Sequence, residues 1–139
     1  MTKLRFMSPA WVEMAREEIT RRLATVDLTG VSFVLCEEFT NPPADLRRSG
    51  ADTIGFTLRI TDGEVVLEDG VAETCDLRVV SDYDEALIIA RDPDAPAASP
   101  GAVSQRLADG RLRIEGDPAA APAQLAEVDI HRLLSSRTA

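Results

Sequence analysis

Aromatic residues make up only 4% of this 139-residue chain: one Trp, one Tyr and four Phe. Folding at this length hides roughly two-thirds of the unfolded chain's surface, enough for one real core. Aliphatic side chains must fill that core, and any cavity in it is expected to have a smooth aliphatic lining. Cysteine is scarce too. Cys36 and Cys75 are the only two, too few for a four-ligand zinc site and too far apart for a CxxC redox pair, so free thiols in a reducing compartment are expected. The single histidine, His131, has no second histidine and no acid at a ligand spacing near it; it reads as a helix-surface residue and not as part of a metal site. No window is apolar enough to span a bilayer, and residues 1–7 carry basic residues with no apolar run after them, so a cytoplasmic location is expected.

Positive charge is the next shortage. The formal net charge is -9, and from Asp62 to Glu85 nine carboxylates stand against the single cation Arg78. Nucleic-acid binding needs a basic face that displaces counterions from phosphates, and this chain has none. Lys3, Arg5, Arg16, Arg21 and Arg22 make the N-terminal region locally basic, but Glu13, Glu17 and Glu18 lie among them; that describes a solvated helix face, with membrane contact at most transient. Catalytic motifs are missing as well. The serines have no GxSxG elbow, neither cysteine sits in a nucleophile motif, and neither GxGxxG nor a GK[ST] ending occurs. Asp62, Glu64, Asp69, Asp76 and Asp84 fall mostly in turns or on the polar phase of strands, where a carboxylate is solvated and not catalytic.

What is present is a run of well-marked elements. Ser8-Pro9 starts a helix to about Leu23, because the serine oxygen caps an exposed N–H and proline suits the first helical position. Trp11, Val12, Ala15, Ile19 and Leu23 give this helix one buried stripe. Val31 to Thr40 reads as a strand with Val31, Phe33 and Leu35 on one face and Ser32, Cys36 and Glu38 on the other. Ile54, Phe56, Leu58 and Ile60 alternate with Thr53, Gly55, Thr57 and Arg59 in a second strand. Asp62-Gly63 then turns the chain into an antiparallel partner over Val65 to Glu68. A turn near Asp69-Gly70 leads to Cys75, Leu77 and Val79, which continues a meander of strands.

Ser81 and Asp82 cap a short helix over Tyr83 to Arg91. Asp92 to Pro100 reads as a loop and Gly101 to Ala108 as a weaker helix ended by Gly110. Leu112 and Ile114 form a last strand. After Gly116-Asp117-Pro118 comes a C-terminal helix that Pro122 interrupts or restarts before Leu125, Val128, Ile130, Leu133 and Leu134. There is no internal repeat and no second domain, so residues 1–139 are expected to form one domain. Strands with one apolar face and helices with one apolar stripe satisfy each other as a two-layer α+β sandwich.

Gly110-Arg111-Leu112-Arg113-Ile114-Glu115-Gly116-Asp117 resembles the signature of the sterol carrier protein 2 domain family. Three further segments are similar in the same order along the chain. Phe6-Met7-Ser8-Pro9-Ala10-Trp11 resembles the opening of small bacterial members. Ile60-Thr61-Asp62-Gly63-Glu64-Val65 resembles their central hairpin, and Cys75-Asp76-Leu77 through Asp82-Tyr83 resembles the strand and helix start that follow. The resemblance implies a mainly antiparallel five-stranded sheet covered on one face by helices, no cofactor, and a hydrophobic tunnel for a fatty acid, acyl chain or sterol-like molecule. The chain departs from peroxisomal members in ending Ser136-Arg137-Thr138-Ala139, which is no peroxisomal address. Ser99 to Leu107 is also poorer in large apolar residues than a lipid-gating helix of that family.

Alternation turns Phe33, Leu35, Ile54, Phe56 and Leu58 inward, and Leu87, Ile88, Leu107, Leu125, Ile130 and Leu134 are the helix residues placed to face them. These are the candidate ligand contacts, with no catalytic and no metal-binding residue among them. The expected function is therefore binding or carrying of a hydrophobic small molecule or lipid by a non-enzyme. A scaffold or dimerisation module with a fully packed interior is the alternative. A small hydrolase using carboxylates in an apolar pocket is the third, and it requires acids inside the cavity beside an arginine. Composition leaves monomer and homodimer equally open.

Overall fold

The computed structural model describes residues 2–48, 50–93, 107–127 and 130–139. Helix α1 (Pro9–Leu23) starts where the sequence marks it: the Ser8 hydroxyl accepts from the Trp11 amide at 3.2 Å and Pro9 occupies the first turn. Its buried stripe is Trp11, Val12, Met14, Ala15, Ile19 and Leu23, together with one charged residue, Glu18. That glutamate does not belong to a solvated face, as its neighbours suggested. It is 7% exposed, pairs with Arg21 and with Arg137 at 3.1 Å, and so ties α1 to the C-terminal segment. These cations, Arg21 first, hold its carboxyl below the usual range.

Five strands follow: β1 (Phe33–Thr40), β2 (Ile54–Thr61), β3 (Glu64–Asp69), β4 (Leu77–Asp82) and β5 (Leu112–Gly116). Their order in the sheet is β3-β2-β1-β4-β5. The β2–β3 hairpin turns through Asp62 and Gly63, both at positive φ (47° and 85°), the geometry a tight two-residue turn demands. The expected meander stops there. β4 does not lie beside β3 but pairs in parallel with β1, Leu35 opposite Leu77, and β5 pairs antiparallel with β4. The sheet is therefore mixed, though mostly antiparallel.

Parallel pairing requires a crossover, and the 70–76 connection makes it over the sheet's outer face. Ala72 N donates to Thr57 Oγ1 at 3.0 Å, Thr57 donates to the Gly70 carbonyl at 2.8 Å, and Arg78 donates to the Ala72 carbonyl at 2.8 Å. Cys36 and Thr57 lie buried under this strap, 0% and 1% exposed. Two glycines admit it. A Cβ at Gly55 would stand 2.1 Å from the Glu37 carbonyl oxygen, and one at Gly116, where φ is +102°, would stand 2.3 Å from that of Asp76.

The helices cover the inner face. α2 (Tyr83–Arg91) is capped by Asp82, whose side chain accepts from the Asp84 amide. The C-terminal stretch is not one interrupted helix. It is broken into 3₁₀ turns at Pro118–Ala120 and Ala123–Glu127 and a short α3 (Ile130–Ser135), because Pro118 and Pro122 each remove a backbone donor and permit only short turns between them. Residues 94–100 of the expected loop and 101–106 of the expected weak helix lie outside the described residues, as does Val128. The ends of the chain meet: Leu4 N donates to the Arg137 carbonyl at 2.8 Å, and the buried Trp11 indole donates to Thr138 Oγ1 at 2.9 Å.

Candidate functional site

Between the sheet's inner face and the helices lies a cavity of about 510 Å³, a size at which small-molecule pockets are found. Its floor is the strands' inward phase. In register these residues run across the sheet as Leu58 and Leu35, then Phe56, Glu37, Val79 and Ile114, then Ser81 and Leu112. Trp11 and Ile19 of α1, Ala86, Ile89 and Ala90 of α2, and Leu125, Ile130 and Leu134 of the C-terminal segment close it from above. Leu35 and Glu37 are half-buried although they sit on the central strand, because the space beside them is unfilled.

The lining is not uniformly aliphatic, as the low aromatic content suggested. Phe6 packs edge-on against Trp11 and Phe39 with ring centroids 4.9 and 5.1 Å apart, and lies 5.6 Å from Tyr83. Phe56 joins through Trp11 and Phe39 at 6.4 and 6.2 Å. Five of the six rings of this chain are thus gathered into one cluster at the cavity, four of them on its wall. The Tyr83 hydroxyl donates to the Phe6 carbonyl at 2.8 Å and fixes the N-terminal segment across this end.

Of the residues expected to face inward, Leu35, Phe56, Leu58, Leu125, Ile130 and Leu134 line the cavity. Phe33 and Ile54 are buried at 3% exposure but do not line it, and Leu87 packs partly buried against the core. Ile88 and Leu107 are exposed, at 57% and 43%. Ile88 falls on the solvent side of α2, whose inward stripe is Tyr83, Ala86 and Ala90, one helical turn apart. His131 is not on the outer surface of its helix. It lines the cavity, and its Nε2 donates to the Asp92 carbonyl at 2.7 Å.

Among the described residues, three charged groups also reach the wall: Arg111, Glu85 and Glu37. Arg111 lies within 3.7 Å of Glu85 and donates to Asp109 at 2.7 Å, so its charge is matched. Glu37 is different: among the described residues its carboxyl makes no hydrogen bond and no ion pair. Burial alone pushes its carboxyl up to about 7, since an isolated charge in apolar surroundings is disfavoured. It is in phase with Phe33, Leu35 and Phe39, and that phase was the signal available for it in the sequence. The described residues hold no cluster of three or more His, Cys, Asp or Glu able to bind a metal. No helix among them is long and apolar enough to cross a membrane.

Neither a protein-family model nor a curated protein matches the sequence. Solved structures do match by fold. A crystal structure of sterol carrier protein 2 aligns at a TM-score of 0.55 with 14% identity over 95% of each chain. The sterol carrier protein domain 2 of Helicoverpa armigera aligns at 0.53 with 14% identity over 100% of this chain and 98% of its own. A candidate sterol carrier protein from Thermus thermophilus aligns at 0.54 with 12% identity, over 100% and 94%. At such identities the likeness is one of fold.

Proposed function

We propose that this chain, which has the fold of the sterol carrier proteins, is a single unit that binds and carries one apolar molecule of acyl-chain or sterol size between its sheet and its helices. The cavity of about 510 Å³ with a mostly apolar wall is the observation that carries this reading. A methylene takes up about the volume of a water molecule, about 30 Å³, so the space suits roughly fifteen such groups. At roughly 0.8 kcal/mol per buried methylene, a twelve-carbon chain brings about 10 kcal/mol before the cost of immobilising it. Two unpaired thiols suit a reducing, cytoplasmic setting.

Native mass spectrometry of freshly purified protein, with displacement of the apolar fluorophore diphenylhexatriene, tests the proposal. The Ala86→Phe variant should lose fluorophore affinity by at least tenfold, because Ala86 stands on the cavity wall. Absence of both a bound mass and fluorophore uptake by the wild type would defeat the proposal. A scaffold with a filled interior fits the cavity poorly. Hydrolysis has one supporting observation, Glu37 on a wall that Arg111 also reaches, but Arg111 is already engaged by Glu85 and Asp109. Turnover of a long-chain epoxide that disappears in Glu37→Gln would favour that second reading.

A further inference from the structure

A purely apolar guest has no use for a carboxyl, yet Glu37 stands on the cavity floor in the middle strand of the sheet. Its neighbours across the sheet are Phe56 on β2 and Val79 on β4, with Ile114 beyond. Among the described residues, every other group on the wall that carries or can take a charge is accounted for. Glu85 of α2 lies by Arg111, Arg111 also holds Asp109, and His131 of α3 donates to the Asp92 carbonyl. α1 contributes only Trp11 and Ile19 to this wall. Glu37 alone is left without a partner among the described residues, where leucine or isoleucine would avoid the desolvation cost altogether.

We propose that Glu37 hydrogen-bonds the one polar oxygen of a neutral, otherwise apolar guest, an alcohol, ketone or ester, so that the cavity selects neutral amphiphiles over free fatty acids. This rests on the cavity being a binding site, the function proposed above. A carboxyl in its acid form offers one O–H donor and one carbonyl acceptor, which complement a hydroxyl or a carbonyl. Burial favours that form up to about neutral pH. A fatty carboxylate would instead bring a full negative charge into an apolar space where the wall's Arg111 is already paired with Glu85 and Asp109, and burying such a charge is costly. The position of Glu37 midway along the floor places the guest's oxygen within the cavity, with apolar surface on either side of it.

Displacement of diphenylhexatriene, which has no polar atom, tests this on the full chain. The displacers are dodecane, 1-dodecanol, 2-dodecanone, dodecanoate and dodecylamine, at pH 6 and pH 8.5, with wild type, Glu37→Gln and Glu37→Leu. The affinity ratio of 1-dodecanol to dodecane at pH 6 should fall about five- to tenfold from wild type to Glu37→Leu, the worth of one net hydrogen bond. Glutamine should keep the preference. 2-Dodecanone, which only accepts, should lose its advantage at pH 8.5 on wild type and keep it on Glu37→Gln. An unchanged ratio in Glu37→Leu, or dodecanoate or dodecylamine binding more tightly than 1-dodecanol, would overturn the proposal while leaving the cavity a binding site. Failure of wild type to take up the fluorophore or dodecane at all would overturn both.

Discussion

Replacing Glu37 with glutamine keeps the shape of the side chain and removes its titration, so the ligand-free protein should report how dry this site is. The Glu37 carboxyl titrates near 7 in the folded chain against an ordinary 4.5. Below pH 4.5 it is protonated whether the chain is folded or not, and it contributes no pH dependence. Between 4.5 and 7 the unfolded chain ionises first, so the folded state binds more protons and loses stability as pH rises. Above 7 both are ionised and the full cost is felt. At 1.36 kcal/mol per pKa unit that cost is about 3 kcal/mol, and water entering a cavity of this size trims it to about 2 kcal/mol. Glutamine has no such dependence. The stability difference, variant minus wild type, should therefore be constant at low pH, climb by about 2 kcal/mol between pH 4.5 and 7, and level off. Urea titrations in half-unit pH steps measure it, read through the fluorescence of Trp11, the single tryptophan, which is 3% exposed. Every other carboxylate cancels in the difference. A flat profile from pH 4 to 8.5 would refute the claim that Glu37 is desolvated.

Gly55→Ala should destabilise the fold by about 2–4 kcal/mol in the same urea assay, because its Cβ would collide with the Glu37 carbonyl and with Val71 Cγ2 at 2.6 Å. Glu18→Gln should cost about 1–2 kcal/mol near neutral pH by breaking the paired contact with Arg21 and Arg137. Since the Glu18 carboxyl is held below its ordinary 4.5, this contribution is present above that value and should fade as pH drops through the folded one, which acid-range melts will show. Ellman's reagent at pH 8 should reach Cys36 only in denaturant, since the thiol is 0% exposed. It should react slowly with Cys75, whose thiol burial and the neighbouring Cys36 push up. Fast native labelling of Cys36 would contradict the strap over the outer face.

The parts of the fold that were legible in the sequence are those decided by neighbours along the chain. Ser8-Pro9 and Asp82 mark helix starts because capping is local, and Asp62-Gly63 marks a hairpin because only certain residues accept its backbone angles. β4 was misplaced for the complementary reason. A turn at Asp69-Gly70 says that the chain changes direction, but its pairing with β1, more than thirty residues upstream, depends on a crossover that leaves little trace in local pattern. The aromatic cluster is similar: Phe6, Trp11, Phe39, Phe56 and Tyr83 are scattered in sequence and meet only in three dimensions. Glu37 was missed although the alternation pointed to it. Read by hydrophobicity, that phase runs through Val31, Phe33 and Leu35 and stops two residues short of the one whose polarity makes the position informative.

A core and a cavity wall use the same residue types, so alternation finds the inward face but not the empty space. The space arises where small residues oppose one another. α2 turns Ala86 and Ala90, one helical turn apart, toward the cavity, whose floor includes Val79 and Ser81. This predicts that Ala90→Leu will extend into the cavity without displacing its neighbours. It should raise stability by about 1–2 kcal/mol through added apolar burial, and at the same time weaken diphenylhexatriene uptake. In an already packed interior the same change overpacks and costs about 1–3 kcal/mol. The sign of the change in urea midpoint therefore separates a floor with room above it from an ordinary core, and destabilisation by Ala90→Leu would refute the cavity at this level of the sheet.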